Sequence, residues 1–254
     1  MHLNDVRRDW TKLGAEDPLW AVLVEPGKRG GRWDVGEFLA TGRTDVEETT
    51  GQLRQLGLPT RWERVLDFGC GVGRLSQALA PHADEVVGVD IAPTMLETAR
   101  RLNQSAENIR FVLNDAPDLS QFPDGHFDLV YSALVLQHLP RPAIDCYLAE
   151  FLRVLRPGGT AVVGFPTEPA HTARGIVWHL APARLISWAQ RHLLNYPAPM
   201  KMTVVPHADM VRLMAAHDGE IVGQWRDRLY SEDWVCTRYA VRRAGHPRQM
   251  PPHD

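Results

Sequence analysis

From residue 65 onward short apolar runs alternate with helical patterns, and this alternation restricts the fold more than any other feature of the chain. RVLDF, EVVGVD, IRFVLND, FDLVYSALV and GTAVVGF have the length and β-branched content of buried strands. Between them, RLSQALAPH and PTMLETARRLN carry helical spacing, and AIDCYLAEFLRVL puts Ile144, Leu148, Phe151, Leu152 and Leu155 on one face. RPGG then stops that helix. Strand and helix in strict alternation build right-handed βαβ units, so the expected class is α/β, doubly wound, with a mostly parallel sheet covered on both faces.

The flanks read differently. Residues 1–60 contain no strand pattern; Thr44 opens a TxxE capping box with Glu47, and Val46, Leu53 and Leu56 continue an apolar stripe, which predicts a helix from Thr44 to Gly57 in a helical N-terminal arm. The domain proper is expected over 61–243. Within it, 166–206 interrupts the alternation as a helical insertion, expected to form a cap over the substrate, with GIVWHL and ARLISWAQRHLL as two helices broken at Pro182. HADMVRLMAAHDG resumes helical order. EIVGQW and DWVCTRYAVRR follow as antiparallel strands at the sheet edge, and the polar, proline-rich tail 244–254 is expected to be disordered.

A sheet of this kind binds ligands at the carboxyl ends of its strands, where strand order reverses. There the chain reads VLDFGCGVGRL. Gly69, Gly71 and Gly73 permit positive φ, close approach of a ligand to bare peptide, and tight packing of the next helix. Asp90 closes the second strand about twenty residues on, where a carboxylate can accept hydrogen bonds from ribose hydroxyls, so the expected ligand is a nucleoside. The dinucleotide fingerprint requires a glycine where Arg74 stands, and Asp67 lies two residues before the first glycine, where a pyrophosphate would be repelled and a cationic ligand favoured.

Asp67-Phe-Gly-Cys-Gly-Val-Gly73, Asp90, Asn114-Asp115-Ala116, FDLVYSALVLQHL and LRPGGTAVVGF, in that order, resemble the class I S-adenosylmethionine-dependent methyltransferases. The resemblance covers Arg64 to Phe165 and then the terminal strands, and implies a Rossmann-like fold with an antiparallel edge strand. It further implies that S-adenosyl-L-methionine is the cofactor, leaving as S-adenosyl-L-homocysteine. The glycine turn and Asp67 would hold its methionine part, Asp90 its ribose and Asp115 its adenine amino group. Ile91 and Ala116 would flank the ring and Leu134 would lie beneath it. Trp33 and Gly42, in WDVGEFLATGR, close over the cofactor or belong to the core; Asp115 also suits a turn, and Arg74 a surface ion pair.

Methyl transfer from a sulfonium is an in-line displacement, so alignment and exclusion of water are the protein's main contributions. A hydroxyl acceptor also loses a proton, and His138, just beyond the fourth strand, is the candidate base, with His171 and His207 in reserve and packing as the alternative role. The fourth strand lacks the NPPY or DPPY of enzymes that methylate base or glutamine amines, and no paired glutamates for an arginine substrate occur. Its end offers no carboxylates for a metal-assisted diol reaction, so no metal is expected. The expected reaction is O-methylation of a small molecule, a sugar or secondary metabolite. N-methylation of an amine and a non-catalytic binding module are the alternatives. Four cations in the insertion, Arg174, Arg184, Arg191 and Lys201, against Glu168 alone, suit an anionic acceptor if they face inward.

Composition agrees. At 254 residues and 44% hydrophobic the chain can bury a large core, and its formal charge of −3 lacks the basic excess of a dedicated nucleic-acid binder. Cys70, Cys146 and Cys236 form no CxxC pair, MHLNDVRRDW has no apolar signal region, and no apolar run is long enough to span a bilayer. These features predict a cytoplasmic monomer or homodimer with no nucleic-acid or membrane partner.

Overall fold

The computed structural model describes residues 2–170, 172, 181–227 and 234–245. His171, Arg174, the expected helix around Trp178 and His179, and residues 246–254 of the tail lie outside the described residues. The helices are α1 (Leu3–Glu16), α2 (Pro18–Val22), α3 (Val35–Gln55), α4 (Arg74–Leu79), α5 (Pro93–Leu102), α6 (Arg141–Val154), α7 (Ala183–His192) and α8 (His207–Ala216). The strands are β1 (Trp62–Phe68), β2 (Ala83–Asp90), β3 (Ile109–Leu113), β4 (Phe127–Ser132), β5 (Leu155–Pro169), β6 (Gly219–Arg226) and β7 (Trp234–Arg243), in one sheet ordered β3-β2-β1-β4-β5-β7-β6.

The first five strands pair in parallel, and β7 runs antiparallel to both β5 and β6. Two-residue alternation decides the double winding. Leu66, Phe68, Val87, Val89, Val130 and Val163 face α6, while Val65, Val86, Leu129, Tyr131 and Val162 face α3 and α4. Each such fully buried Val or Leu contributes about 1.5–3 kcal/mol, and neither face is left to solvent. Strand order reverses between β1 and β4, which fixes where a ligand can bind.

Two boundaries differ from expectation. The arm's long helix starts at Val35, because the Asp34 carboxylate accepts from the Glu37 amide at 2.9 Å, and Thr44 lies inside it with its hydroxyl donating to the Ala40 carbonyl at 3.3 Å. The first DxxE thus caps the helix, and the later TxxE does not. β5 continues to Pro169, past a register shift between Pro166 and Glu168, so the insertion begins four residues later than its first proline suggests.

A buried polar cluster ties the arm to the sheet. The Arg238 guanidinium on β7 donates to Asp45, to Thr49 Oγ1 and Tyr131 OH at 2.8 Å each, and to Asp227 Oδ2 at 2.9 Å. Arg74, expected at the surface, is instead 2% exposed, with Nη2 3.6 Å from the second oxygen of Asp45. Gly42 explains how α3 comes so close: a Cβ there would stand 2.5 Å from the Arg74 carbonyl oxygen.

Candidate cofactor and acceptor site

The glycine turn hangs from the end of β2. The amides of Gly69 and Cys70 both donate to the Val89 carbonyl, at 2.8 and 2.9 Å, and the Gly71 amide donates to Asp90 Oδ2 at 2.9 Å. The other Asp90 oxygen accepts from the Ala92 amide at 2.8 Å. Gly69 and Gly71 have φ of 73° and 54°, and a Cβ on Gly69 would sit 2.4 Å from the Val135 methyls. Gly73 serves packing instead. Its missing Cβ would be 2.7 Å from the Phe111 ring and 2.6 Å from Asn103, so it lets α4 begin against the sheet.

Beside this turn lies a mostly apolar cavity. Of the residues singled out from the sequence, Gly69, Gly71, Asp90, Ile91, Leu134 and His138 line it. Leu134 adopts a left-handed φ of 64° at the end of β4, a strain of about 1–3 kcal/mol of the kind found at functional sites. Asn114, Tyr147 and Arg74 also line the cavity. So do Leu3 and Trp10 of α1 and Val22 of α2, so the arm forms part of its wall.

The remaining candidates stand outside the lining. Asp67 is buried and accepts from the Ser76 hydroxyl at 2.6 Å. Asp115 is half exposed and pairs with Arg7 of α1 at 2.9 Å, while the Ala116 carbonyl accepts from Tyr147 OH at 2.6 Å. Trp33 is core: its ring packs edge-on to Phe38 with centroids 5.6 Å apart, and its indole donates to the Leu23 carbonyl. Gly42 serves the contact between α3 and α4. His207, at the start of α8, stacks on Tyr239 and bonds its hydroxyl at 3.0 Å. No described residue of 181–206 lines the cavity either. The insertion reaches it indirectly, through the Lys201 carbonyl, which lies 2.8 Å from His138 Nδ1.

Burial sets the charges. His138 is enclosed, with the Trp10 ring 4.9 Å away, and desolvation pushes its pKa down to about 4 against the opposing hydrogen bond to Lys201. A carbonyl only accepts, so Nδ1 carries the proton and Nε2 is the acceptor nitrogen, with Gln137 Nε2 3.4 Å from it. Asp67 moves the other way, up to about 7, chiefly by desolvation and against its Ser76 hydrogen bond and the Arg74 charge. Desolvation also raises Asp90, offset by the Ala92, Gly71 and Ile91 amides. Among the described residues no three His, Cys, Asp or Glu side chains gather as metal ligands.

Residues 65–159 match a family model described as a methyltransferase domain. The 2-methyl-6-phytyl-1,4-hydroquinone methyltransferase of Synechocystis is 33% identical over 155 residues, 61% of this chain and 48% of that protein. The demethylmenaquinone methyltransferase of Clavibacter sepedonicus is 40% identical over 119 residues, 46% of each. The chain thus spans about half the length of these curated relatives. Among solved structures, magnesium protoporphyrin IX methyltransferase from Synechocystis with bound S-adenosylhomocysteine superposes with a TM-score of 0.63 at 19% identity, over 94% of this chain and 98% of that one. Residues 65–159 thus resemble a methyltransferase domain, and the fold of the chain is the Rossmann-like one of the solved methyltransferase structure it superposes on.

Proposed function

We propose that the chain binds S-adenosylmethionine in this cavity and directs its methyl to a hydroxyl of a largely apolar, ring-bearing small molecule. The observation that carries the reading is the junction of Gly69, Gly71 and Asp90 at the switch point: bare backbone beside a partly buried carboxylate that is held by main-chain amides and faces the cavity. Asp90 receives the ribose hydroxyls, and Ile91 packs on the adenine. Arg74, the one cationic side chain in the lining, is buried with no hydrogen-bond partner on Nε, which suits the carboxylate of the amino-acid end. The cofactor supplies a methyl already activated on sulfur.

Toward the arm, Leu3, Trp10, Val22 and Leu139 leave His138 as the polar group. That lining supports a flat apolar acceptor over a sugar, whose hydroxyls would lack partners, and over an anion, since no cation of the described insertion lines the cavity. The relatives' names, a hydroquinone and a demethylmenaquinone methyltransferase, point in the same direction. His138, neutral at pH 7 with Nε2 unprotonated, accepts a hydrogen bond from the acceptor hydroxyl and orients it. A base with so low a pKa takes little of the proton itself. Calorimetric titration with S-adenosylhomocysteine and with NAD, followed by transfer of labelled methyl to a panel of hydroquinones, phenols, amines and sugars, tests the reading. No heat with S-adenosylhomocysteine, or a preference for NAD, overturns the cofactor; labelling of amines or sugars alone overturns the acceptor.

A further inference from the structure

Helix α7 is inverted relative to an ordinary surface helix, whose outward face is polar. Its inner side is anchored by Gln190, 4% exposed, which donates to the Met200 carbonyl at 3.1 Å and accepts from the Met200 amide at 3.0 Å. The Leu194 carbonyl just beyond it accepts from Arg29 Nη1 at 2.6 Å. With the segment held so, Leu185, Trp188, Leu193 and Leu194 point to solvent with exposures of 55%, 50%, 66% and 50%. They are half of the eight large apolar side chains exposed among the described residues, and they fall within ten positions. Arg184, just before them, and Arg191, among them, are also exposed. From 169 to 208 the sequence has no Asp or Glu, whereas the whole chain carries 31 in 254 residues, so about five would be expected there.

We infer that this face docks on an anionic phospholipid surface, with the four apolar tips at the acyl boundary and the two arginines on lipid phosphates. Cations flanking an aromatic and aliphatic face, on a helix of ten residues, are what a segment lying in the interface requires. No helix among the described residues is long and apolar enough to cross a membrane, so the contact is lateral. A second copy of the chain is the poorer occupant, because a two-fold contact would set cation against cation, and 169–208 itself supplies no acid to pair with them. The inference does not depend on the methyl acceptor or the cofactor.

The test is sedimentation of the full chain with phosphatidylcholine vesicles, with and without about a third phosphatidylglycerol, at about 0.1 and about 0.5 M salt. Pelleting is expected with the anionic vesicles, reduced at high salt. Leu185→Ser with Trp188→Ser and Leu193→Ser should lower it by roughly tenfold or more, and Arg184→Gln with Arg191→Gln by several-fold at the lower salt. If circular dichroism finds the serine variant unfolded, the glutamine variant carries the test. Wild-type protein that stays in the supernatant, or variants that pellet equally well, overturn the inference. So does a wild-type dimer that the serine variant converts to monomer while neither binds vesicles.

Discussion

At the glycine turn the cavity wall is main chain: the peptides of Gly69, Cys70 and Gly71, just past β1, are hung on Val89 and Asp90 at the end of the adjacent strand β2. At the His138 end the wall is side chain, with Trp10, Leu3 and Val22 delivered by two arm helices and His138 held by a carbonyl of the insertion. The first half is built from consecutive residues of one βαβ unit and has little freedom to vary. The second is assembled from three distant segments, each of which can change its side chains without disturbing the sheet. A shared cofactor and a particular acceptor call for that division.

The sharpest way to break this comparison is Asp90→Ala. It removes a partly buried acceptor from the main-chain half and should weaken S-adenosylhomocysteine by about 2–4 kcal/mol, the loss of two charge-assisted hydrogen bonds. Unchanged affinity by calorimetry would mean that the two halves do not divide the work as described.

The second effect is on stability and pH. His138 is neutral in the folded chain down to about pH 4, whereas an unfolded histidine titrates near 6.5, so its contribution is complete above 6.5 and is lost as pH falls toward 4. The span corresponds to about 3 kcal/mol. Asp67, raised to about 7, contributes oppositely: its stabilisation is complete below about 3.8 and is lost as pH rises toward 7. The two slopes oppose each other between pH 4 and 6.5. His138→Gln should therefore unmask a stability that declines with rising pH across that window, measured by denaturant unfolding at several pH values. A variant with the same pH profile as the wild type would show that His138 is not buried in its neutral form.

The smallest effect sharpens the comparison most. Trp10→Ala should raise the acceptor KM by about tenfold, roughly 1–2 kcal/mol of lost packing, while S-adenosylhomocysteine affinity stays within a few-fold. Equal losses of both would mean that the arm belongs to the cofactor's half.

The same division explains what the sequence made legible. Gly69, Gly71, Asp90, Ile91, Leu134 and His138 stand at or just past strand ends, and their order along the chain places them. Asp67 was legible as part of a buried strand, but not as the partner of Ser76. Two-residue alternation puts it on the face of Val65, against α4 and Ser76, and counting parity from Val65 would have found this. Arg74 reads as an exposed helix start until Asp45 of α3 crosses it, and that crossing has no local signal. Trp10 and Leu3 reach the cavity across more than a hundred residues. The apolar stripe of α1 announces a buried face but not what the face covers.

The pairing of Asp45 with Arg238 spans 193 positions, from the arm to the final strand. On a growing chain, Asp45, Thr49 and Tyr131 are all made long before the guanidinium that joins them. Until β7 emerges, the Asp45 carboxylate of α3 has only Arg74 and the Tyr131 hydroxyl against it, and the tie from the arm to the last strands is unmade. The cavity lining lies wholly within the first 150 residues, yet the cluster that ties the arm's long helix to the sheet takes its guanidinium from Arg238, some ninety positions further along.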